Sequence, residues 1–294
     1  MSVRNRQKGC MYGLAIGDAL GAAIEFKMLG EFQPVTCYRG FGPFGLLPGQ
    51  WTDDTSLALA LADSLANGWD VKDQLEKYLS WFQTGKYSVN GMCFDIGNTT
   101  RQALDGFERN GTIWASDDQA NSGNGSIMRL APVAIKYHDS QHAINYLVDS
   151  SRTTHGSRQA TSGCAALGMM LVELINGSSK EKALNIDFRE MIELSPLIQK
   201  VVDGSYKQEK TFTGSGWVVE SLESALWAFN TSNSFEETVL KAVNLGNDSD
   251  TTGAVAGQLA GAYWGYDKIP QNLIDGLACK DIIDKYLDPI LTPE

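Results

Sequence analysis

Two short acidic stretches carry the densest chemistry in the chain: Trp51-Thr52-Asp53-Asp54-Thr55 and Leu245-Gly246-Asn247-Asp248-Ser249-Asp250-Thr251-Thr252-Gly253. Each crowds carboxylates and hydroxyls into one turn directly ahead of an apolar segment, Ser56 to Ala62 in the first case and a glycine-spaced run in the second. Oxygen donors of this kind suit hard cations such as Mg²⁺, Mn²⁺ or Ca²⁺, and thiolate or imidazole coordination is not implied. A helix start carries partial positive charge, so a cation held there needs several carboxylates to outweigh the dipole. Asp53, Asp54, Asp248 and Asp250 supply them. Ser, Thr and Asp are also the ordinary N-cap residues, which would account for one oxygen in each turn. Capping leaves the paired Asp beside Thr in both turns unexplained, so a metal site is the expectation.

Further stretches could act beside such a site. Cys93-Phe94-Asp95-Ile96-Gly97 sets one Asp between bulky apolar residues, where burial would raise its pKa and suit it to general acid or base work; a locally satisfied turn Asp is the competing reading. Asn121-Ser122-Gly123-Asn124-Gly125-Ser126-Ile127-Met128-Arg129 is a small-residue loop running into a helix, with Arg129 in its first turn. Backbone amides at such a start form a natural phosphate site, although no Gly-Lys-Ser/Thr follows and many loops of this composition are plain turns. His155-Gly156, among Thr and Ser at another helix start, could hydrogen-bond a ribose or phosphate, whereas a lone His is more often structural. His138 and His142 lack a third ligand and read as a solvated face, as do Asp117 and Asp118. Gly214-Ser215-Gly216-Trp217 could line a pocket or simply precede a helix.

Helices must position these groups. Gly9, Gly13, Gly17 and Gly21 recur every four residues, and Gly253, Gly257, Gly261 and Gly265 repeat the device. Each such glycine costs about 1 kcal/mol of helix propensity relative to Ala, so a backbone or ligand is expected to approach each stripe closely. Between the stripes the periodicity predicts helices over Thr55–Ala66, Val71–Thr84, Thr99–Asn110, Ser126–Lys136, His142–Arg152, Arg158–Asn176, Phe188–Asp203, Trp217–Asn230 and Phe235–Leu245. Alternating strands are scarce, and Glu31 to Gln50, rich in Gly, Pro and aromatics, reads as a long functional loop. No linker-like change of composition appears, so one all-α domain over residues 1–294 is expected.

The 294 residues, 43% hydrophobic and 20% charged, are those of a globular protein with a sizeable core. A net charge of −11 without clustered Lys and Arg argues against nucleic-acid or anionic-membrane partners. Five scattered cysteines without CxxC spacing read as reduced thiols. The N-terminal apolar segment contains Asp18 and no cleavage pattern, and the remaining apolar runs are too short to span a bilayer, so a cytoplasmic monomer is expected.

Taken together these stretches resemble the ADP-ribosylglycohydrolase family, over nearly the whole chain: Gly17-Asp18-Ala19-Leu20-Gly21 with Glu25, the Thr52-Asp53-Asp54 loop, Asp95, the Gly123-to-Arg129 loop, His155-Gly156 and Asp248-Ser249-Asp250-Thr251. The resemblance implies a compact all-helical bundle with a dinuclear centre of two Mg²⁺ or Mn²⁺ ions, held by Thr52, Asp53, Asp54, Asp248, Asp250 and Thr251. It implies Asp95 as the catalytic carboxyl, with Glu25 matching a glutamate that gates or ligates the metal in some serine-specific relatives. Ligand contacts are implied for Asn121, Gly123, Asn124, Gly125, Ser126, Met128, Arg129, His155, Gly156, Gly216 and Trp217, where Trp217 stands at a position that is Tyr in many relatives. Phe94-Asp95-Ile96-Gly97 is similar to the segment of the dinitrogenase reductase-activating branch, which implies hydrolysis of the N-glycosidic bond of an ADP-ribosylated protein arginine, releasing ADP-ribose. The alternatives are an O-linked serine or free ADP-ribose derivative as substrate, a non-catalytic ADP-ribose-binding or structural role like that of lens crystallins of this fold, and phosphohydrolysis.

Overall fold

The two glycine stripes face each other. In the computed structural model, which describes residues 1–208 and 211–293, helix α1 (Val3–Gly21) runs antiparallel to the helix that carries the second stripe, Ser249–Trp264. A Cβ added at Gly17 would land on the carbonyl oxygen of Gly253, one at Gly13 on that of Gly257, and one at Gly9 on that of Gly261. The backbones therefore touch along three helical turns, which side chains would hold apart. Gly265 ends the second helix rather than continuing its stripe, with a positive φ of 78° beside Asn5 and Met1.

Around this pair the chain builds α2 (Asp53–Leu65), α3 (Val71–Thr84), α4 (Asn98–Asn110), α5 (Ala131–Lys136), α6 (Ala143–Arg152), α7 (Arg158–Ile175), α8 (Lys180–Leu184), α9 (Pro196–Val202), α10 (Val218–Asn230) and α11 (Phe235–Val243). The stripe helix Ser249–Trp264 is α12, and α13 (Gln271–Gly276) and α14 (Lys280–Leu287) follow it. Among the described residues there is no β-strand, only isolated bridges pairing Phe41 with Leu46 and Gly123 with Trp217. The fold is all-α, its core filled by α1, α2, α7, α10 and α12. No helix among the described residues is long and apolar enough to cross a membrane.

Two predicted helices need correction, both at prolines. The segment Ser126–Lys136 is helical only from Ala131, where Pro132 opens the first turn; residues 125–129 form turns instead, so Arg129 is not in a helix. Phe188–Asp203 is broken into a 3₁₀ turn, Phe188–Glu190, and α9, which starts at Pro196 with Ser195 as its N-cap. The short helices α8, α13 and α14 carry too few turns for a periodic signal. The loop from Glu31 to Gln50 is anchored at several points: Val35 and Asn244 exchange hydrogen bonds of 2.6 and 2.9 Å, the Tyr38 hydroxyl donates to Leu273 O, and Ala278 N donates to Gly49 O.

The close contact predicts an asymmetry among glycines. Gly17→Ala should lower stability by about 1–3 kcal/mol through overpacking, despite its better helix propensity. Gly106→Ala, in α4, where the nearest atom to the added Cβ is 3.9 Å away, should be neutral or stabilising. Thermal melts of the two variants check this; equal stability of Gly17→Ala and the parent would contradict the backbone contact.

Candidate active site

The α1–α12 contact brings the start of α12 against the end of α1. A Cβ at Gly21 would meet the backbone of Asp250, and Ser249 Oγ donates to Gly21 O at 3.0 Å. The start of α2 is drawn to the same point from α1, whose buried Asp18 accepts Thr52 N at 2.8 Å and Thr55 N at 3.0 Å. The two acidic turns consequently interlock. Thr52 Oγ1 lies 3.1 Å from Asp250 Oδ2, and Thr251 Oγ1 lies 3.3 Å from Asp54 Oδ1.

Ordinary capping does not describe these residues. Thr52 and Asp248 occupy the N-cap positions of α2 and α12, yet neither side chain caps its helix. For α2 that work is done by Asp18, from another helix. Asp248 Oδ2 instead accepts from Asn124 Nδ2 at 2.9 Å, and its amide donates to Gly214 O, which ties α12 to the Gly123–Gly125 loop and to segment 214–216.

Two further carboxylates enter from loops held in unusual backbone conformations. Phe26, next to Glu25, and Asn247, next to Asp248, both have positive φ, and their segments exchange two backbone hydrogen bonds of 2.7 Å, Phe26 N to Asn247 O and Asn247 N to Lys27 O. Asp95 itself has φ +61°, a left-handed conformation uncommon outside glycine that re-aims its side chain from the start of α4 toward the acidic turns. One carboxylate oxygen each from Glu25, Asp95 and Asp250 lies within 4.8 Å of the others.

So many carboxylates under so little solvent raise one another's pKa values. Burial, then the charges of Asp250 and Asp95, push Glu25 far above the carboxylate range. Burial raises Asp53, Asp54 and Asp250 in the same way, reinforced by their acidic neighbours. Asp95 is pushed up to about 8 by burial and by Asp248 and Asp18, and Asp18 to about 6 by burial against the pull of its threonine hydrogen bonds. Asp54 Oδ2 and Glu25 Oε2 are buried without a hydrogen-bond partner. Converging, under-satisfied oxygens and an all-oxygen donor set fit a hard divalent cation, whose charge would relieve the repulsion and occupy the orphaned oxygens. Thr52, Asp53, Asp54, Asp248, Asp250 and Thr251, with Glu25, form the available set.

A cavity of about 400 Å³ opens over this centre, lined at one end by Glu25, Asp53, Asp95, Asp248 and Thr251 and beyond them by Gly123, Asn124, Gly125, Met128, His155 and Gly216. Gly125 has no room for a side chain, since a Cβ would lie 2.8 Å from His155 Cε1. Thr154 Oγ1 sits 2.8 Å from His155 Nδ1 and accepts from Arg129 Nη2 at 2.6 Å, so its own proton is free to go to Nδ1, the arrangement that puts the ring N–H on Nε2. Burial, and then the Arg129 charge, pull the His155 pKa down to about 3, so the ring is neutral.

Several of the sequence-derived ligand residues lie elsewhere. Arg129 is fully buried, donates to Gly125 O and to Thr153 and Thr154, and stacks 4.5 Å from the centre of the Tyr78 ring, so it buttresses the loop from behind. Ser126 accepts from Ser151 Oγ beneath the loop, and Gly156 packs against the backbone of Ala115 and Ser116. Asn121 lines a smaller neighbouring cavity with Trp114, and Trp217 borders an open groove beside the main cavity, its Nε1 donating to Gln159 at 2.6 Å. Asp18 is the residue whose part sequence reasoning missed: it was visible only within the Gly17-to-Gly21 motif, and its partners are 34 and 37 positions away.

A family model for ADP-ribosylglycohydrolases matches residues 1–293. The chain belongs to the ADP-ribosylglycohydrolase family. It is 39% identical over 99% of its length to the ADP-ribosylarginine hydrolase Tri1 of Serratia proteamaculans, covering 80% of that protein, and 34% identical over 95% of its length to the ADP-ribosyl-[dinitrogen reductase] glycohydrolase of Rhodospirillum rubrum, covering 92%. A solved structure described as an ADP-ribosylglycohydrolase-related protein complex shares 39% identity and superposes with a TM-score of 0.88 over 98% of each chain.

The raised carboxyls give the metal-free glycohydrolase a specific pH dependence. A carboxyl whose folded pKa exceeds its unfolded value binds protons more tightly when folded, so stability rises as pH falls from above the folded value toward the ordinary value near 4. In chelator, thermal stability should therefore increase from pH 9 to pH 7, where Asp95 takes up its proton in the folded chain and the raised Glu25 and Asp53 are also more protonated folded than unfolded. Below about 6.5 the buried neutral His155 opposes the trend, because only the unfolded form gains its proton. Asp54→Asn should flatten the rise; stability that falls from pH 9 to pH 7 would contradict the electrostatic account.

Proposed function

We propose that this protein hydrolyses the N-glycosidic bond between ADP-ribose and an arginine side chain of a modified protein, releasing ADP-ribose, with two Mg²⁺ or Mn²⁺ ions held by Thr52, Asp53, Asp54, Asp248, Asp250 and Thr251. The observation that carries the reading is that the Glu25 and Asp95 carboxylates converge with buried Asp250 and line a cavity that also meets the Gly123–Gly125 loop and His155. Relatives named for ADP-ribosylarginine hydrolysis, at 39% and 41% identity, support arginine as the linkage.

Hydrolysis requires the ribose held, the departing nitrogen assisted and a water deprotonated. Divalent cations held in the acidic centre would supply Lewis acidity and coordination positions for the ribose hydroxyls. Asp95 is the proton-handling group. Its carboxyl lines the cavity beside the acidic turns, where it can exchange a proton with the leaving guanidine nitrogen or the entering water. Water adds at the anomeric carbon as the carbon–nitrogen bond breaks, and its proton ends on the guanidine.

The diphosphate falls to the glycine loop. Asn124 N already donates to Gly216 O, and the amides of Ile127 and Met128 donate to Asn124 O, so Gly123 and Gly125, which line the cavity, are the loop's candidate donors. An acidic protein binds an anionic ligand here through amides rather than through Arg129, which is directed inward. The His155 Nε2–H, fixed in a neutral ring, is suited to a hydroxyl of the distal ribose.

Incubation with matched ADP-ribosyl-arginine and ADP-ribosyl-serine peptides, with Mn²⁺, Mg²⁺ or chelator, tests the proposal. The expected outcome is chelator-sensitive ADP-ribose release from arginine, reduced about 10²- to 10⁴-fold in Asp95→Asn. Release from serine alone would move the substrate to the O-linked class, and phosphate release would replace the reaction.

A further inference from the structure

We infer that Asp18 is a positioning residue for the cation site, acting through Thr52: it takes the Thr52 hydroxyl proton and so presents Thr52 Oγ1 to the acidic centre as an oxygen donor. The inference rests on the reading of that centre as a cation site.

Asp18 is 0% exposed and its carboxylate accepts from two threonines at once. Oδ1 takes Thr52 N at 2.8 Å and Thr52 Oγ1 at 3.0 Å; Oδ2 takes Thr55 N at 3.0 Å and Thr55 Oγ1 at 2.6 Å. A helix cap needs only the two amides. Both hydroxyls are engaged as well, and the one on Thr52 also lies 3.1 Å from Asp250 Oδ2. A hydroxyl has one proton and two lone pairs, so it can donate to only one of the two carboxylates flanking it. Asp18 holds the Thr52 amide on the same oxygen, which fixes backbone and hydroxyl together on that side. With the proton drawn to Asp18, the lone pairs of Thr52 Oγ1 turn toward Asp250. Outer carboxylates that orient a ligand in this way commonly affect metal affinity about 10- to 100-fold when replaced. α1 can deliver the carboxylate this deeply because its neighbour Gly17 lets it sink against α12.

Mn²⁺ titration by calorimetry of the parent, Asp18→Asn, Thr52→Val and the double variant tests this, alongside melts in chelator. An amide at position 18 offers one acceptor oxygen and an NH₂ group that only donates, so whichever way it turns it cannot accept from both threonine amides. Asp18→Asn should remain folded and lose Mn²⁺ affinity about 10- to 100-fold. Thr52→Val should lose a similar factor, and the double variant should be no weaker than Thr52→Val alone, because both act on one oxygen. Additive losses, or unchanged Mn²⁺ affinity with a lower melting point in chelator, would reduce Asp18 to a helix cap and overturn the inference. Should Asp18→Asn not fold, Thr52→Ser must keep the affinity that Thr52→Val loses; equal affinities would also overturn it. A parent protein that binds no Mn²⁺ at all defeats the cation reading itself, and this inference with it.

Discussion

The backbone contact between α1 and α12 is the constraint on which the rest depends. Three pairs of glycines bring the two helices together so closely that no side chain fits between them. Because the helices run antiparallel, the C-terminal end of α1 meets the N-terminal end of α12, and Gly21 lies against Asp250. Asp18, one residue beyond Gly17, reaches the start of α2 from the same turn. The ends of α1 and α12 are thus fixed relative to each other by glycine packing that contains no titratable group, and the start of α2 is tied to them through the Asp18 carboxylate. A site that must hold several like charges at close range needs such an uncharged frame, since its own electrostatics push it apart.

That repulsion is the second organising feature. Buried carboxylates without cationic partners are strongly disfavoured, and here Glu25, Asp53, Asp54 and Asp250 are all buried or nearly so. Among the described residues the protein provides no Lys or Arg ion pair to any of them; the ion pairs that do form involve other acids, such as Asp63, Glu173 and Glu237. Protons or divalent cations are the remaining means of neutralisation. Asp95 differs from the others in being only partly buried and in facing the cavity from a loop where its own φ is positive.

Much of this was legible in the sequence because its signals are local. The acidic turns announce themselves by composition, and the glycine stripes by a four-residue period that costs helix propensity without a local reason. What was not legible depends on partners distant in the chain. Arg129, beside a glycine loop, looks like a phosphate ligand, but its hydroxyl partners at 153 and 154 and the Tyr78 ring turn it inward. Asp18 looks like part of a helical motif because the threonines it serves lie beyond a thirty-residue loop. The positive φ of Asp95 is only weakly signalled by its residue type, whereas Pro132 and Pro196 mark directly where the helices after Ser126 and Phe188 can begin. Membership of the ADP-ribosylglycohydrolase family follows from the whole pattern rather than from any one of these residues.

The central claim is that the interlocked turns at Thr52–Asp54 and Asp248–Thr251 form one divalent-cation centre. Counting bound Mn²⁺ by electron paramagnetic resonance at equilibrium tests it most directly, comparing the parent chain with Asp54→Ala and Asp250→Ala. The account predicts two ions per parent chain and loss of binding at the centre in both variants, with helical content preserved. Undiminished binding in either folded variant, or none in the parent, would contradict it.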